Sequence, residues 1–375
     1  MRLIKKLPTL YKRTAVGQIQ EWTMCVDVDK YYSIEGIQGG TLTTNKPTLA
    51  IGLNVGKKNE TTPAEQALKE AQAKHKKKLE SGYTEDIKKI DNAVTYFEPQ
   101  LAHKYNDYRD KLVFPVWVSK KIDGLRMIIK REGITTRNGK PFNATPHLSR
   151  ILAPIFVKHP NWVLDGEGYA SDVPFEKVVS LIKRQKPSAE ELAESARLVQ
   201  FWLFDGVTND KDASFKDRFK EITDAINKHV LTDRNMIVIV DNIEVNSDAE
   251  IMRYHDNFVA DGFEGVMVRI PTAAYENKRS RNLLKYKNFV DDEFEIIDVI
   301  EGIGSRSGMA GNLNLKMKSG KTFGAGIKGG EDLYKEIWKD RKNYTGKFAT
   351  VRYQNLTESG VPRFPVVVEL DVNDK

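Results

Sequence analysis

Lys121 opens the hexapeptide KIDGLR, Lys121 to Arg126. The segment follows an alternating strand, VFPVWVS, and precedes a second, MIIK. A lysine at a strand end, beside a tight Asp-Gly turn, can be held at the mouth of a pocket. Its amine is a useful nucleophile only when neutral, which requires burial or nearby cations to lower its pKa. Lys285 and Lys287 alternate along LLKYK, so their side chains leave the same face of a strand. Glu167 in LDGEG and Glu264 in FEGVMVR each sit beside glycine, which lets backbone or ligand come close. An amine nucleophile, cations that spread phosphate charge and carboxylates that hold a divalent metal are the parts needed to attack a nucleotide phosphate. Each piece also has a plainer reading. KIDGLR could be a hairpin turn, the lysine pair a solvated strand face, and D-G and E-G simple turn dipeptides.

The elements around these residues predict an α+β protein in three parts. Residues 1–90 read as short β-rich segments, WTMCVDV and YYSIEGI, followed by one helix. Thr62 with Glu65 makes a capping box, Pro63 takes the first helical position, and Ala64, Ala67, Leu68, Ala71 and Leu79 recur at helical spacing. Residues 91–289 mix strands with helices expected over 214–230 and 247–261, the latter opened by Ser247 and Glu250 and stopped at Gly262. A charged insert opened by Ser188 and Glu191 predicts a surface helix. Residues 290–375 read as short strands with Gly-rich turns, the pattern of a small β-barrel. The 375 residues allow two or three domains, and no run of 18 apolar residues suggests a membrane span. A single cysteine, Cys25, excludes an internal disulfide and a Cys-based zinc site, so a reducing, intracellular setting is expected.

Six segments together resemble the ATP-dependent DNA ligases of the covalent nucleotidyltransferase superfamily. After KIDGLR come TRNGK (Thr136–Lys140), LDGEG (Leu164–Gly168), FWLFDG (Phe201–Gly206), FEGVMVR (Phe263–Arg269) and LLKYK (Leu283–Lys287), and PRFPV (Pro362–Val366) matches the closing motif. Any one is weak; the ordered set is specific. The resemblance covers roughly residues 95 to 370 and is to compact phage and viral ligases. It implies an adenylation domain of antiparallel sheets and helices followed by an OB-fold barrel. It implies Lys121 as the residue that takes AMP from ATP, Lys285 and Lys287 at the phosphate, Glu167 at ribose or metal, and Glu264 as a metal-binding acid for Mg²⁺ or Mn²⁺. Phe204 would stack on adenine, although a core position is the commoner fate of a phenylalanine. Arg126 is implied at the ribose or the nick, Arg137 at the nick's 5′-phosphate, and Arg363 in the first step only. Arg306, in the loop GSRSGMAG, would touch the DNA backbone. The implied partner is nicked duplex DNA, in replication, repair or recombination, with the enzyme a monomer. Asp165 ranks lower, as a turn former. A hinge is expected near 288–292, NFVDD.

Residues 1–90 lie outside that core and resemble a WGR module, although no W-G-R tripeptide occurs. The charge excess lies here. The whole chain carries +7, residues 1–90 carry +6 and the rest carries +1. Lys57, Lys58 and the 74–78 cluster, Lys76 and Lys77 foremost, are the candidates for phosphate contacts, with a solvated lysine face as the alternative. Two other readings of the whole chain stay open: an RNA ligase or capping-type guanylyltransferase, and a nucleic-acid-binding protein with a dead transferase core. A chase of nucleotide-labelled protein with nicked DNA or RNA separates them.

Overall fold

A computed structural model describes residues 4–370 apart from 15, 92–95, 172, 304 and 305. Two compact units divide the chain. One is formed by residues 96–288; the other combines the N-terminal 95 residues with residues from 289 onward. The junction between Asn288 and Phe289 falls inside the NFVDD segment.

The 96–288 unit holds two five-stranded sheets. The first runs Gly133–Thr135, Leu125–Lys130, Val163–Tyr169, Gln200–Val207, Ile237–Ile239; the second runs Ile243–Val245, Val116–Lys121, Gly265–Arg269, Arg279–Lys287, Leu101–Lys104. Pairing is antiparallel except at one edge of each sheet. The helices Pro146–Lys158 and Phe215–His229 pack on the first sheet, around a core that includes Met127, Ile129, Leu152, Leu164, Phe201 and Ile222. A second core, with Val116, Val118, Ile251, Phe258 and Val268, lies under the second sheet and the helix Asp248–Ala260. That helix forms where Ser247 and Glu250 predict its start, and Gly262 ends it at φ +87°. The cap is rearranged. Ser247 accepts from the Glu250 N–H, but Glu250 reaches back one residue further, to the Asn246 N–H at 2.6 Å.

In the other unit, five strands from Val290–Glu301 to Val366–Leu370 close a barrel around Ile296, Leu313, Leu315, Ala349 and Val351. At the N-terminus a six-stranded sheet carries the helix Pro63–Glu80, capped by Thr62 and Glu65 as expected. Two residues of its expected apolar face, Ala64 and Leu79, are exposed. Leu79 is 37% exposed, and His75 is buried instead, with its Nε2 2.9 Å from the Pro8 carbonyl and its ring against Trp22. A buried histidine that finds a carbonyl loses little. Among the described residues no helix is long and apolar enough to cross a membrane.

Candidate active site

KIDGLR is not a hairpin. Val116–Lys121 belongs to one sheet and Leu125–Lys130 to the other, so the Asp-Gly turn carries the chain between them. Gly124 allows that crossing: a Cβ there would lie 2.4 Å from the Gly168 carbonyl and 2.7 Å from Glu167 Cγ. The turn therefore rests on the strand that bears Glu167. A cavity of about 250 Å³ opens where the sheets meet, lined by Lys121, Arg126, Glu167, Phe204, Glu264 and Lys285 among others. Arg137, from the turn TRNGK, reaches its edge.

Strand register explains the cluster of charge. Gly265 pairs with Lys121 on one side and Lys287 on the other. Its φ of +151° and the Tyr286 carbonyl 2.3 Å from any added Cβ leave room only for glycine. Glu264, the preceding residue, donates its N–H to the Lys121 carbonyl at 2.9 Å. Its carboxylate then spans the two lysines, accepting from Lys121 Nζ through Oε2 and from Lys287 Nζ at 2.7 Å through Oε1. Lys285, two residues before Lys287, enters the cavity on the same face. Burial, followed by the positive charge of Lys287, pulls the Lys121 amine down to about 8, with Lys285 acting in the same direction and Glu167 against it. Burial raises the Glu167 carboxyl well above the usual carboxylate range, opposed by Arg126 and Lys121. Lys285 is also lowered, by burial and by Lys287.

Phe204 reaches the cavity through a bulge. Asp165 pairs with Asp205 but Gly166 pairs with Leu203, so Phe204 is the extra residue on its strand. The bulge places it half-buried beside the cavity while Phe201, Leu203 and Asp205 turn inward. The Arg126 guanidinium lies 4.8 Å from its ring centre. Arg126 is held in turn by Asp165, through two bonds of 2.5 Å, and by the Gln100 carbonyl at 3.0 Å. Asp165 is therefore no turn former. It is buried within a strand and also accepts from the Tyr275 hydroxyl at 2.6 Å. Behind it lies a second buried group, with Asp205 accepting from both Arg218 and Arg269. Arg269 is the last residue of FEGVMVR and lines the cavity, and Tyr275 has no motif to mark it. The sequence reading missed both. The repeat of an arginine at the end of a motif is the one signal that pointed to Arg269.

Glu167 and Glu264 bring carboxylate oxygens to one cavity, and among the described residues no group of three or more His, Cys, Asp or Glu side chains gathers. Two oxygen ligands with the rest drawn from water and phosphate suit Mg²⁺. The oxygen chemistry suits such an ion, with both Glu264 oxygens engaged by Lys121 and Lys287 in this structure.

The remaining candidates lie in the other compact unit. Arg363 is 7% exposed in the barrel, its N–H donating to the Asn355 carbonyl at 2.8 Å and its guanidinium 4.9 Å from the Phe364 ring centre. Arg306 is exposed and stands 4.7 Å over Tyr334; Gly304 and Ser305 of its loop lie outside the described residues. Lys57, Lys58, Lys76 and Lys77 are exposed in the N-terminal domain.

The family profile described as "ATP dependent DNA ligase domain" matches residues 99–287, half of the chain and nearly all of the cavity-bearing unit. The chain belongs to the ATP-dependent DNA ligases. A second profile, "DNA ligase OB-like domain", matches residues 301–370 of this ligase, the closed barrel. Its relatives include the DNA ligase of African swine fever virus, 25% identical over 79% of this chain and 76% of that protein. Another is the DNA ligase of Haemophilus influenzae, 26% identical over 70% and 88% respectively. A solved Lig E DNA ligase, 23% identical, shares the fold with a TM-score of 0.63, across 74% of this chain and all of that one. The ligase thus uses ATP and joins nicked DNA, and the readings as a capping enzyme or an inert binding protein fall away.

Proposed function

We propose that Lys121 is the residue that carries AMP, and that the cavity between the two sheets is where ATP reacts. The observation that supports this reading is the single carboxylate, Glu264, held between Lys121 and Lys287 by strand register. The neutral Lys121 amine attacks the α-phosphorus. The N–P bond forms as the bond to pyrophosphate breaks, and the proton of the attacking amine passes to the adjoining carboxylate. Lys285 and Lys287 spread the phosphate charge. Phe204 offers a face to the base, and Arg126, fixed by Asp165, stays in place beside it. Glu264 and Glu167 would hold a divalent ion, Mg²⁺ or Mn²⁺, which when bound neutralises charge at the reacting phosphate. AMP then moves to the 5′-phosphate of the nick, where Arg137 is a bidentate partner, and the 3′-hydroxyl displaces it. The working unit is a single chain inside the cell.

The domain limits in this reading are 1–90 for an accessory DNA-binding domain, 91–289 for adenylation and 290–375 for the OB-fold barrel, with Arg306 touching the DNA backbone. The test is incubation with α-labelled ATP, GTP or NAD followed by a chase with nicked DNA or nicked RNA. Label must enter the protein from ATP alone and leave on adding nicked DNA. Stable label after the chase would defeat the reading.

Glu264→Ala removes a metal ligand and the counter-charge between two lysines. Adduct formation is expected to fall about 10²–10³-fold, the usual loss when one charge-stabilising group is removed, and not to recover with added Mg²⁺. A wild-type yield at the wild-type Mg²⁺ midpoint would contradict the metal role. Arg363→Ala is expected to slow adduct formation about 10²-fold and leave sealing of pre-adenylated nicks intact. An equal loss in both assays would remove its first-step role.

A further inference from the structure

One concavity of the N-terminal domain belongs to none of the steps above. It measures about 650 Å³ and lies between the helix Pro63–Glu80 and the strands Ile19–Asp27 and Lys30–Ile37. Its floor is apolar: Trp22, Met24 and Tyr31 point to the same sheet face, which the helix covers. Its banks are basic. Lys74, Lys77 and Lys78 come from one flank of the helix, at the i, i+3, i+4 spacing that puts them side by side. Lys46 comes from the opposite bank, after the strand Leu42–Thr44.

A helix C-terminus favours cations, which accounts for Lys77 and Lys78 in the last turn. It does not account for Lys46, which is brought to the same cavity by a different segment. Nor does a freely solvated face hold its ammonium groups in place. Here Lys74 Nζ lies 4.9 Å from the Tyr31 ring centre, and Lys78 Nζ lies 5.2 Å from that of Trp22 and 4.6 Å from that of Tyr83. The one carboxylate on the cavity, Glu35, is already engaged, by Lys78 at 3.9 Å and by Asn45 Nδ2 at 2.7 Å. Lys46, Lys74 and Lys77 make no salt bridge among the described residues. Lys46 lies within electrostatic reach of Glu331, and the cavity still carries an excess of positive charge from Lys46, Lys74 and Lys77.

We infer that this groove is where the N-terminal domain grips the phosphodiester backbone of duplex DNA, through Lys46, Lys74 and Lys77. The inference rests on the reading of residues 1–90 as DNA-binding and relocates the contact. Lys57, Lys58 and Lys76 lie off the groove. Duplex backbone is favoured over unpaired bases because a base needs an open aromatic face to stack on. Trp22 and Tyr31 are only 4% and 5% exposed, with lysines lying over their rings. Phosphates need only the cations, and Ser33 and Asn45 at the rim add polar partners of the kind that position a backbone without reading sequence.

Two full-length variants remove the same charge from different places: K46Q/K74Q/K77Q in the groove and K57Q/K58Q/K76Q outside it. Each is titrated with a nicked duplex lacking the 3′-hydroxyl, over a series of salt concentrations. The groove variant is expected to bind roughly 10-fold more weakly at 0.1 M salt, with a log–log salt slope shallower by about 2 to 3, one contact contributing roughly 0.9. The outside variant should match the wild type, and both should form the AMP adduct normally, which reports an intact fold. If the outside variant weakens and the groove variant does not, the groove assignment is overturned while the domain's DNA-binding role stands. Equal weakening in both reduces the effect to bulk charge and also overturns the assignment. No change in either removes the domain's role as well.

Discussion

Lys121→Ala is expected to abolish the labelled AMP adduct, with overall sealing reduced about 10⁴-fold or more, as when other enzymes lose a covalent nucleophile. No neighbouring amine is placed to substitute. Lys287 is tied to the other oxygen of Glu264, and Lys285 enters the cavity from a strand two registers away. Lys121→Arg should fail equally, because a guanidinium remains protonated and is a poor nucleophile. The substitution should not disturb the fold. Glu264 keeps its bond to Lys287, and the backbone bond from Glu264 to the Lys121 carbonyl does not involve the side chain. The decisive contrast is with a pre-adenylated nick, where no lysyl adduct is needed. There the Ala variant should retain most of the wild-type rate. An acid-labile adduct in Lys121→Ala, or parallel loss on the pre-adenylated nick, would show that Lys121 binds or positions rather than reacts.

The chemistry was legible in the sequence because the reacting groups come in short contiguous motifs. KIDGLR, FEGVMVR and LLKYK each carry a side chain to one strand end, and period-two alternation already aims Lys285 and Lys287 the same way. The helices were legible for a similar local reason, as caps and apolar spacing lie within a few residues. What the sequence hid is set by pairing between distant strands. The Asp-Gly turn looks like a hairpin, and only the sheet assignment of its two strands shows that it bridges layers. Phe204 shares the outward parity of Trp202, but the bulge opposite Asp165 and Gly166, which leaves it without a partner on the neighbouring strand, cannot be read from the letters. Tyr275 meets Asp165 across 110 residues, and Arg269 meets Asp205 across 64. No local pattern encodes such contacts. They also explain why Asp165 was misjudged: a D-G dipeptide has the same letters in a turn and in a buried strand.

The deepest of these contacts has the largest consequence for stability. Asp205 is 1% exposed and is bound by Arg218 through bonds of 2.8 and 3.1 Å, by Arg269, and by the Gly206 N–H at 2.8 Å. Both guanidiniums also lie over the Phe215 ring, Arg269 at 4.2 Å and Arg218 at 5.2 Å. Asp205→Asn keeps the shape but removes the one negative charge that, among the described residues, touches both arginines, and it turns an amide donor toward two donors. Breaking a buried pair while leaving its partners in place costs about 3–5 kcal/mol. The unfolding midpoint of the 96–288 unit should fall by roughly 10 °C, at the few degrees per kcal/mol expected for a unit of that size. The pH dependence separates charge from packing. Burial pushes the Asp205 carboxyl up, but Arg269 and Arg218 outweigh it and hold it below the usual range. A carboxyl lowered in the folded state contributes stability that is complete above the unfolded value of about 4 and is lost as pH falls through the lower folded value. The gap between wild type and Asp205→Asn should therefore be constant from pH 8 down to about 5 and narrow below about 4. Urea unfolding at a series of pH values measures it. A gap that stays flat to pH 3 would assign the loss to shape alone, and a gap below about 1 kcal/mol at neutral pH would mean that the two arginines find other partners. Because Arg269 also lines the ATP cavity, adduct formation should decline with stability, which would tie the buried carboxylate to the geometry of the reacting groups.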